Sequence, residues 1–339
     1  MSLLRFIARR LILTIPMLLG ITLVMFIMYN IVQPDPLVML VGERALDKEE
    51  VVQAAIRKWG LDRPKWEQYL NYLGNYMRGD LGVSFLTRRP VLDDLRTFMP
   101  ATIELAISSL TFAIVLGIPL GILAGLRYGG KLDRSMWTIS LLNASLPPFW
   151  TGLLFLYVFY YLAGIAPGPG RLDPRLAAPT TITGLLTLDS VLTGNWPTLL
   201  SALHHLMLPT LILGGFTLAL VWRVTRAAIV EEIRREYIRT ARSKGMRERR
   251  VVIRHALRNV LLPLITILGL AFAGLMSGAV MTESVFEWAG IGQYLVHAAA
   301  SLDYPAIQGG TLLIALIYML VNLIVDILYG LLDPRVRFG

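Results

Sequence analysis

The sequence predicts an all-α, polytopic membrane protein. It has six transmembrane helices, a helical outer loop and a basic helix–Gly–helix loop on the cytoplasmic side. Three observations predict it. Of the 339 residues, 55% are hydrophobic and 16% charged, against roughly 25% charged in soluble domains. Several runs of about 20 residues carry no charge, the length that crosses a hydrocarbon core of roughly 30 Å as a helix. Lys and Arg gather in alternate connections between those runs. Backbone polar groups must be satisfied within lipid, which makes the runs helices rather than open strands.

The runs are Leu11–Val32, Ile107–Leu126, Met136–Ala163, Met207–Trp222, Leu261–Met281 and Thr311–Leu332. Asn143, Asn322 and Asp326 are their notable polar exceptions, and Met207–Trp222 is the shortest. Arg5, Arg9 and Arg10 precede the first run in the manner of a signal peptide. Its apolar length exceeds a signal core of roughly 7–15 residues, and no small-residue cleavage site follows, so it reads as a retained anchor.

Orientation follows from charge. Arg5, Arg9 and Arg10, then Arg127, Lys131 and Arg134, then Arg223 through Arg258, then Arg335 and Arg337 mark one side, whereas Glu283–Tyr304 has no Lys or Arg. The positive-inside rule places both termini of a multi-pass membrane protein in the cytoplasm. The net charge of +9 then reports topology, and no nucleic-acid partner is implied.

Three regions follow: 1–32, the N-terminal segment and first span; 33–100, an extracytoplasmic helical loop; and 101–339, a core of five spans with the basic loop at 223–260. In the first outer loop, Leu46–Trp59 reads as a helix with Asp47 as cap and Val51, Ala54, Ala55 and Ile56 inside it. Pro64 opens a second, Lys65–Met77, whose Trp66, Tyr69, Tyr72 and Tyr76 suit interfacial anchoring and packing. The second outer loop, Gly164–His205, is irregular with a short helix at Leu185–Leu192; the third carries Gly290–Gly292 and a helix Tyr294–Ala300. Gly117, Gly121 and Gly125 lie on one helix face, a spacing that allows close helix contact. Pro119 and Pro147-Pro148 invite kinks.

The chain has no cysteine, which excludes disulfides and thiolate metal sites, and its four histidines have no ligand spacing. No metal or catalytic site is expected. Gly125 to Lys131 approaches a P-loop, but Leu132 stands where Ser or Thr must hold Mg²⁺ and no strand precedes it. An ion-coupled carrier would place ionisable groups in its spans; Glu104 and Asp326 are the candidates, both near an interface. A membrane protease would need a catalytic pair there, and the spans have none. Asn143, Ser145, Glu283 and Gln308 are pore or gate candidates because they are polar and near span centres or mouths.

In the basic loop, Glu231-Glu232 opens a helix with Ile229, Ile233, Tyr237 and Ala241 on one face. Gly245 breaks it, and Arg247–Leu257 begins a second helix with Arg247, Arg250, Arg254 and Arg258 as a basic stripe. Such a loop is either a lever or a solvated segment drawn to anionic headgroups.

Arg239-Thr-Ala-Arg-Ser-Lys-Gly245 followed by Arg254-His-Ala-Leu-Arg-Asn-Val-Leu-Leu-Pro263 resembles the coupling segment of binding-protein-dependent ABC importer permeases. The similarity is to the dipeptide/oligopeptide branch, and to the first of its two permease subunits. Where the wider superfamily begins this segment Glu-Ala-Ala, this chain has Arg239-Thr240-Ala241, and the Leu-Pro is displaced to Leu262-Pro263, as in the peptide branch. Gly60-Leu-Asp-Arg-Pro64, Arg78-Gly-Asp-Leu-Gly-Val-Ser84, Thr282-Glu-Ser-Val-Phe-Glu-Trp-Ala-Gly-Ile-Gly292, Asp303-Tyr-Pro305 and Asp333-Pro-Arg335 are similar to other family segments, in the right order.

The resemblance implies a pore made with a second homologous permease subunit and two cytoplasmic ABC ATPase subunits that hold ATP and Mg²⁺; this chain binds no cofactor itself. It also implies an extracytoplasmic substrate-binding protein delivering peptide. Oligosaccharides or nickel complexes are the alternative cargo. The implied ATPase-coupling residues are Tyr237, Arg239, Thr240, Ala241, Arg242, Lys244, Gly245, Met246 and Arg249.

Overall fold

The structure, a computed structural model, describes residues 3–32, 48–59 and 62–332. The elements run α1 (Leu3–Val32), α2 (Glu49–Trp59), α3 (Lys65–Met77), α4 (Val91–Leu126), α5 (Lys131–Ser145), and α6 (Pro148–Phe155) prolonged by a π-helical segment, Leu156–Leu162. There follow α7 (Leu186–Leu192), α8 (Trp196–Glu232), α9 (Glu236–Ser243) and α10 (Glu248–Val251). A second π-helical segment, Val252–Ala256, leads into α11 (Leu257–Gly278), then α12 (Val280–Val285), α13 (Ile291–Ala300) and α14 (Tyr304–Leu332). The described residues are thus all-α, with Val83 and Pro90 forming an isolated bridge.

Among the described residues five helices are long and apolar enough to cross a membrane: Arg9–Ile31, Val91–Leu126, Trp196–Glu232, Glu248–Met276 and Tyr304–Leu328. A sixth segment, Lys131–Asn143 with Pro148–Leu162, qualifies only as a pair bent by 100°. The bend has a local cause. A residue before proline is pushed out of the helical region, and here Leu146 (φ −101°, ψ 131°) and Pro147 (φ −61°, ψ 136°) are both extended. Hydroxyls cover carbonyls on either side, Ser145 Oγ donating to Leu141 O at 2.8 Å and Thr151 Oγ1 to Pro147 O at 3.2 Å.

The span expected at Met207–Trp222 is much longer, from Trp196 to Glu232. Asn195 caps it, its side chain accepting from Thr198 N, and a proline follows in the first turn. At the other end the helix runs on past Arg223, which ends the apolar run, and Arg226 stays in it because its guanidinium is matched. Arg226 Nε and Nη2 donate to Asp133 at 2.5 and 2.8 Å, with Tyr128 and Trp137 rings 4.8 and 5.8 Å from its charge centre.

Residue clustering divides the chain into two compact units. The larger comprises Phe98–Tyr294 and the last helix from Ile317, with the first residues of the chain. Its seam is the glycine face of α4: a Cβ on Gly117, Gly121 or Gly125 would lie 3.1, 2.6 and 2.7 Å from Val221, Thr225 and Ile229 of α8. The absent side chains therefore permit backbone contact, as the spacing predicts. One buried cluster joins Ala101, Leu105, Leu206, Leu213, Met276 and Trp288; another joins Ala113, Val221, Ile229, Ile238, Ala241, Val251 and Val260.

The irregular connection before α8 is held by two buried acids. Asp189 accepts from Ile182 N, Thr183 N, Thr183 Oγ1 and Gly184 N at 2.7–3.2 Å. Burial pushes its carboxyl up, but these hydrogen bonds prevail and hold it below the usual carboxylate range. Glu104 pairs with Arg171 at 2.7 Å and accepts from Thr187 N and Oγ1, each at 2.7 Å.

The smaller unit comprises Ala8–Thr97 and Leu295–Leu316. The tyrosine face of α3 packs on α1, Tyr69 and Tyr72 lying 5.5 and 5.9 Å from Phe26 by ring centroids. Trp66 is exposed. Asp303 accepts from Ser84 Oγ at 2.5 Å, Leu86 N at 3.0 Å and, at the start of α14, Ala306 N at 3.3 Å. Helix α2 begins at Glu49 rather than Leu46, and Val51 and Ala54 are exposed rather than internal. The proposed Asp47 cap and the Asp333-Pro-Arg335 ending lie outside the described residues.

Candidate functional site

The basic loop is an ordered turn of two helices. Glu231 and Glu232 close α8 instead of opening a new helix. Arg234 N and Arg235 N bond back three residues, to Glu231 O and Glu232 O at 3.2 and 3.1 Å, and Arg235 (φ −72°, ψ 146°) is extended before α9 starts. That break resets the helical phase. Ile238 and Ala241 are buried with Ile229, while Tyr237, expected on the apolar face, is 38% exposed.

Helix α9 ends on glycine. Gly245 has φ +75°, Gly245 N donates to Arg242 O at 2.9 Å and Met246 N to Ala241 O at 3.4 Å. This is the Schellman arrangement, which needs a left-handed residue and suits glycine because it has no Cβ. A Cβ here would meet nothing within 4 Å, so within this chain the requirement is conformational, not steric. Met246 packs against the cluster that holds Ala241, the apolar contact that accompanies this ending.

Two polar ties fix the turn. Arg242 Nε and Nη2 donate to Glu248 at 3.0 and 2.6 Å, joining α9 to α10 in fork geometry. At the base, Tyr237 donates its hydroxyl to Glu232, and Asn259 Nδ2 donates to Glu232 Oε2 at 3.2 Å and to Tyr237 Oη at 2.9 Å. Burial, then the Glu232 hydrogen bond, pushes the Tyr237 phenol up to about 12, so it remains a donor at neutral pH. The ends of α8, α9 and α11 are thereby joined. Glu232 and Asn259 were not singled out from the sequence. Their roles depend on a contact spanning 27 residues, which no local pattern encodes.

The remaining coupling candidates divide by exposure. Arg239, Thr240, Lys244 and Arg249 are exposed with Arg242 and Gly245; Met246 is half-buried and Ala241 buried. The second helix is not separate, since Glu248–Val251 and the π-helical turn run on into the next span. Phenylalanine at Tyr237 should loosen the base by about 1–2 kcal/mol without altering the spans. Tryptic cleavage within 234–250 is expected to accelerate severalfold while unfolding temperature holds; equal cleavage rates would remove the tie's importance.

The pore or gate candidates differ in their surroundings. Asn143 is half-buried beside Gly215, and Ser145 is exposed with its hydroxyl on its own helix. Gln308, in the smaller unit, accepts from Tyr76 Oη at 3.4 Å and donates to Met25 O at 3.5 Å. Glu283 is 0% exposed, accepting from Thr102 Oγ1 at 2.6 Å and Gln293 N at 3.0 Å, so within this chain it braces the α12–α13 turn. Glu104 is likewise occupied by Arg171, and Asp326 is half-buried in α14. Among the described residues no group of His, Cys, Asp or Glu could hold a metal ion.

Comparison with known proteins matches residues 117–338 to the model of the binding-protein-dependent transport system inner membrane component, and residues 3–106 to the N-terminal model of such membrane components. The di/tripeptide transport system permease protein DppB of Pseudomonas aeruginosa is 43% identical, over 98% of this chain and 99% of its own. The dipeptide transport system permease protein DppB of Escherichia coli K12 is 39% identical with the same coverage. The oligopeptide transport system permease protein AppB of Bacillus subtilis is 34% identical, also over 98% and 99%. The fold is similar to a chain of the MetNI methionine ABC transporter in an inward-facing form, at TM-score 0.50 and 17% identity, covering 69% of this chain and 93% of that one.

Proposed function

Because the chain belongs to the family of binding-protein-dependent transport system inner membrane components, we propose that it is one permease subunit of an ABC importer for dipeptides and related short peptides. End-to-end similarity to dipeptide permeases carries the reading. A second homologous permease completes the passage, an extracytoplasmic binding protein delivers the peptide, and two ATPase subunits bind from the cytoplasm, one on the basic loop of this chain and one on the second permease. ATP and Mg²⁺ belong to those partners.

The geometry of the loop supports a mechanical role. A helix that transmits force must be stiff relative to the spans it moves. Helix α9 is seated by Ile238 and Ala241 in the core and tied at its base through Glu232 and Asn259. A push on its exposed face would therefore reach α8 and α11 together, the rigid-element displacement by which switching transitions proceed.

The test is reconstitution. The chain alone in liposomes should neither hydrolyse ATP nor accumulate a labelled dipeptide; with its second permease, ATPases and binding protein it should do both. Turnover by the isolated chain, driven by ATP or an ion gradient, would overturn the proposal. Topology is checked separately: tags after Gly339 and within Arg127–Arg134 should be shielded in intact cells, and one near Asp47 should be reachable. An externally reachable C-terminus would refute the orientation.

A further inference from the structure

Arg247, Arg249, Arg250, Ile253 and Arg254 line a shallow concavity where the chain turns from the loop into the span beginning at Glu248. Arg258 follows one turn later and is also exposed. None of these five arginines pairs with an acid among the described residues, whereas Arg235 and Arg242 of the same loop each do. Unpaired like charges held this close repel one another, so the cluster favours an anionic ligand.

The surroundings indicate which anion. Ile253, 53% exposed, lies within the arginine group, and beyond Arg258 the same side of the helix continues with exposed Leu261. Arg250, Arg254 and Arg258 step by four residues through the π-helical turn Val252–Ala256, so a charged stripe runs straight into an apolar one. A soluble phosphate uses only the first; a ligand with an anionic head and an acyl tail uses both. Arginine also suits this boundary, its stem lying along apolar surface and its head reaching phosphate.

We infer that Arg247, Arg250, Arg254 and Arg258 form a binding site for the headgroup of an anionic phospholipid of the cytoplasmic leaflet, with Arg249 at its border with the ATPase. This rests on the orientation proposed above. It divides the loop in function: α9 and its glycine turn face the ATPase, while the head of the next span is held to the lipid surface. Each Lys or Arg close to an acidic membrane contributes about a fivefold gain in binding, so two arginines account for a factor of about 25.

The test titrates the detergent-purified complete transporter with phosphatidylglycerol or phosphatidylcholine and counts bound lipid by native mass spectrometry. Arg250→Gln/Arg254→Gln is expected to weaken phosphatidylglycerol binding at least tenfold and leave phosphatidylcholine binding and ATPase co-purification unchanged. Arg250→Lys/Arg254→Lys should keep most of it, and Arg239→Gln, on the face assigned to the ATPase, should leave phosphatidylglycerol binding unchanged. Excess inorganic phosphate should not displace the lipid. Unchanged phosphatidylglycerol binding in the double Gln variant overturns the inference. Loss of the ATPases from that variant assigns the surface to the ATPase instead. Displacement by phosphate reduces it to a phosphate site. Transport failure of the unmodified complex would count against the proposed function without bearing on the lipid measurement.

Discussion

Arg226→Met alone is expected to destabilise the larger unit by about 3–5 kcal/mol, the cost of stranding one member of a buried ion pair. Asp133 is 2% exposed. With the guanidinium gone it keeps only Gly129 N, at 2.9 Å. Two aromatic rings that face the cation also lose their partner. The unfolding midpoint of the detergent-solubilised chain should fall by on the order of 10 °C. Replacing both partners, Asp133→Leu with Arg226→Met, removes the stranded charge and should recover most of the loss, because a packed apolar pair commonly equals or exceeds a buried ionic one. A single variant as stable as the unaltered chain, or a double variant no better than the single, would show that the pair is not an isolated energetic unit.

Gly245→Val is expected to reduce peptide-stimulated ATP hydrolysis by the reconstituted transporter at least fivefold, with membrane abundance unchanged. At φ +75° a β-branched residue is strained, and the left-handed conformation costs ordinary L-residues roughly 1–2 kcal/mol. The turn would relax by releasing the Gly245 and Met246 backbone hydrogen bonds, and the far end of α9 would fray. Asparagine tolerates that conformation, so Gly245→Asn should retain at least half the activity. If both variants fail alike, the glycine is needed for close approach of the ATPase rather than for its backbone. If both work, the turn does not couple.

The spans were legible because hydropathy is a sum over neighbours: Leu11–Val32 and Thr311–Leu332 fall inside helices of nearly those bounds. Gly245 and the Gly117–Gly125 face were also legible, since each is a local conformational or steric signal. The ends of the fourth span were not. Arg223 and Arg226 read as loop until Asp133, 93 residues from Arg226, is known to receive the second of them. Glu104 had the same difficulty, since its partner Arg171 is 67 residues distant. The break at Ile233–Arg235 escaped for another reason: Glu-Glu-Ile-Arg-Arg-Glu contains no glycine or proline, and only tertiary packing of Ile238 sets the new phase. The bracing role of Glu283 was not legible either, because polarity near a span mouth does not distinguish a buried brace from a wall.

The broken third span bears on how the chain enters the membrane. Lys131–Ser145 and Pro148–Leu162 are 15 residues each, about 22 Å of helix apiece, and a bilayer core is roughly 30 Å. Neither half can complete a crossing alone. During synthesis this segment should therefore linger at the insertion machinery until Trp196–Glu232 emerges and packs against both halves. A nascent chain arrested near residue 165 should remain extractable by alkali, and one arrested past 235 should not. The Asp133–Arg226 pair would then act as a latch at the cytoplasmic ends of the two spans, closing once the fourth has joined the third.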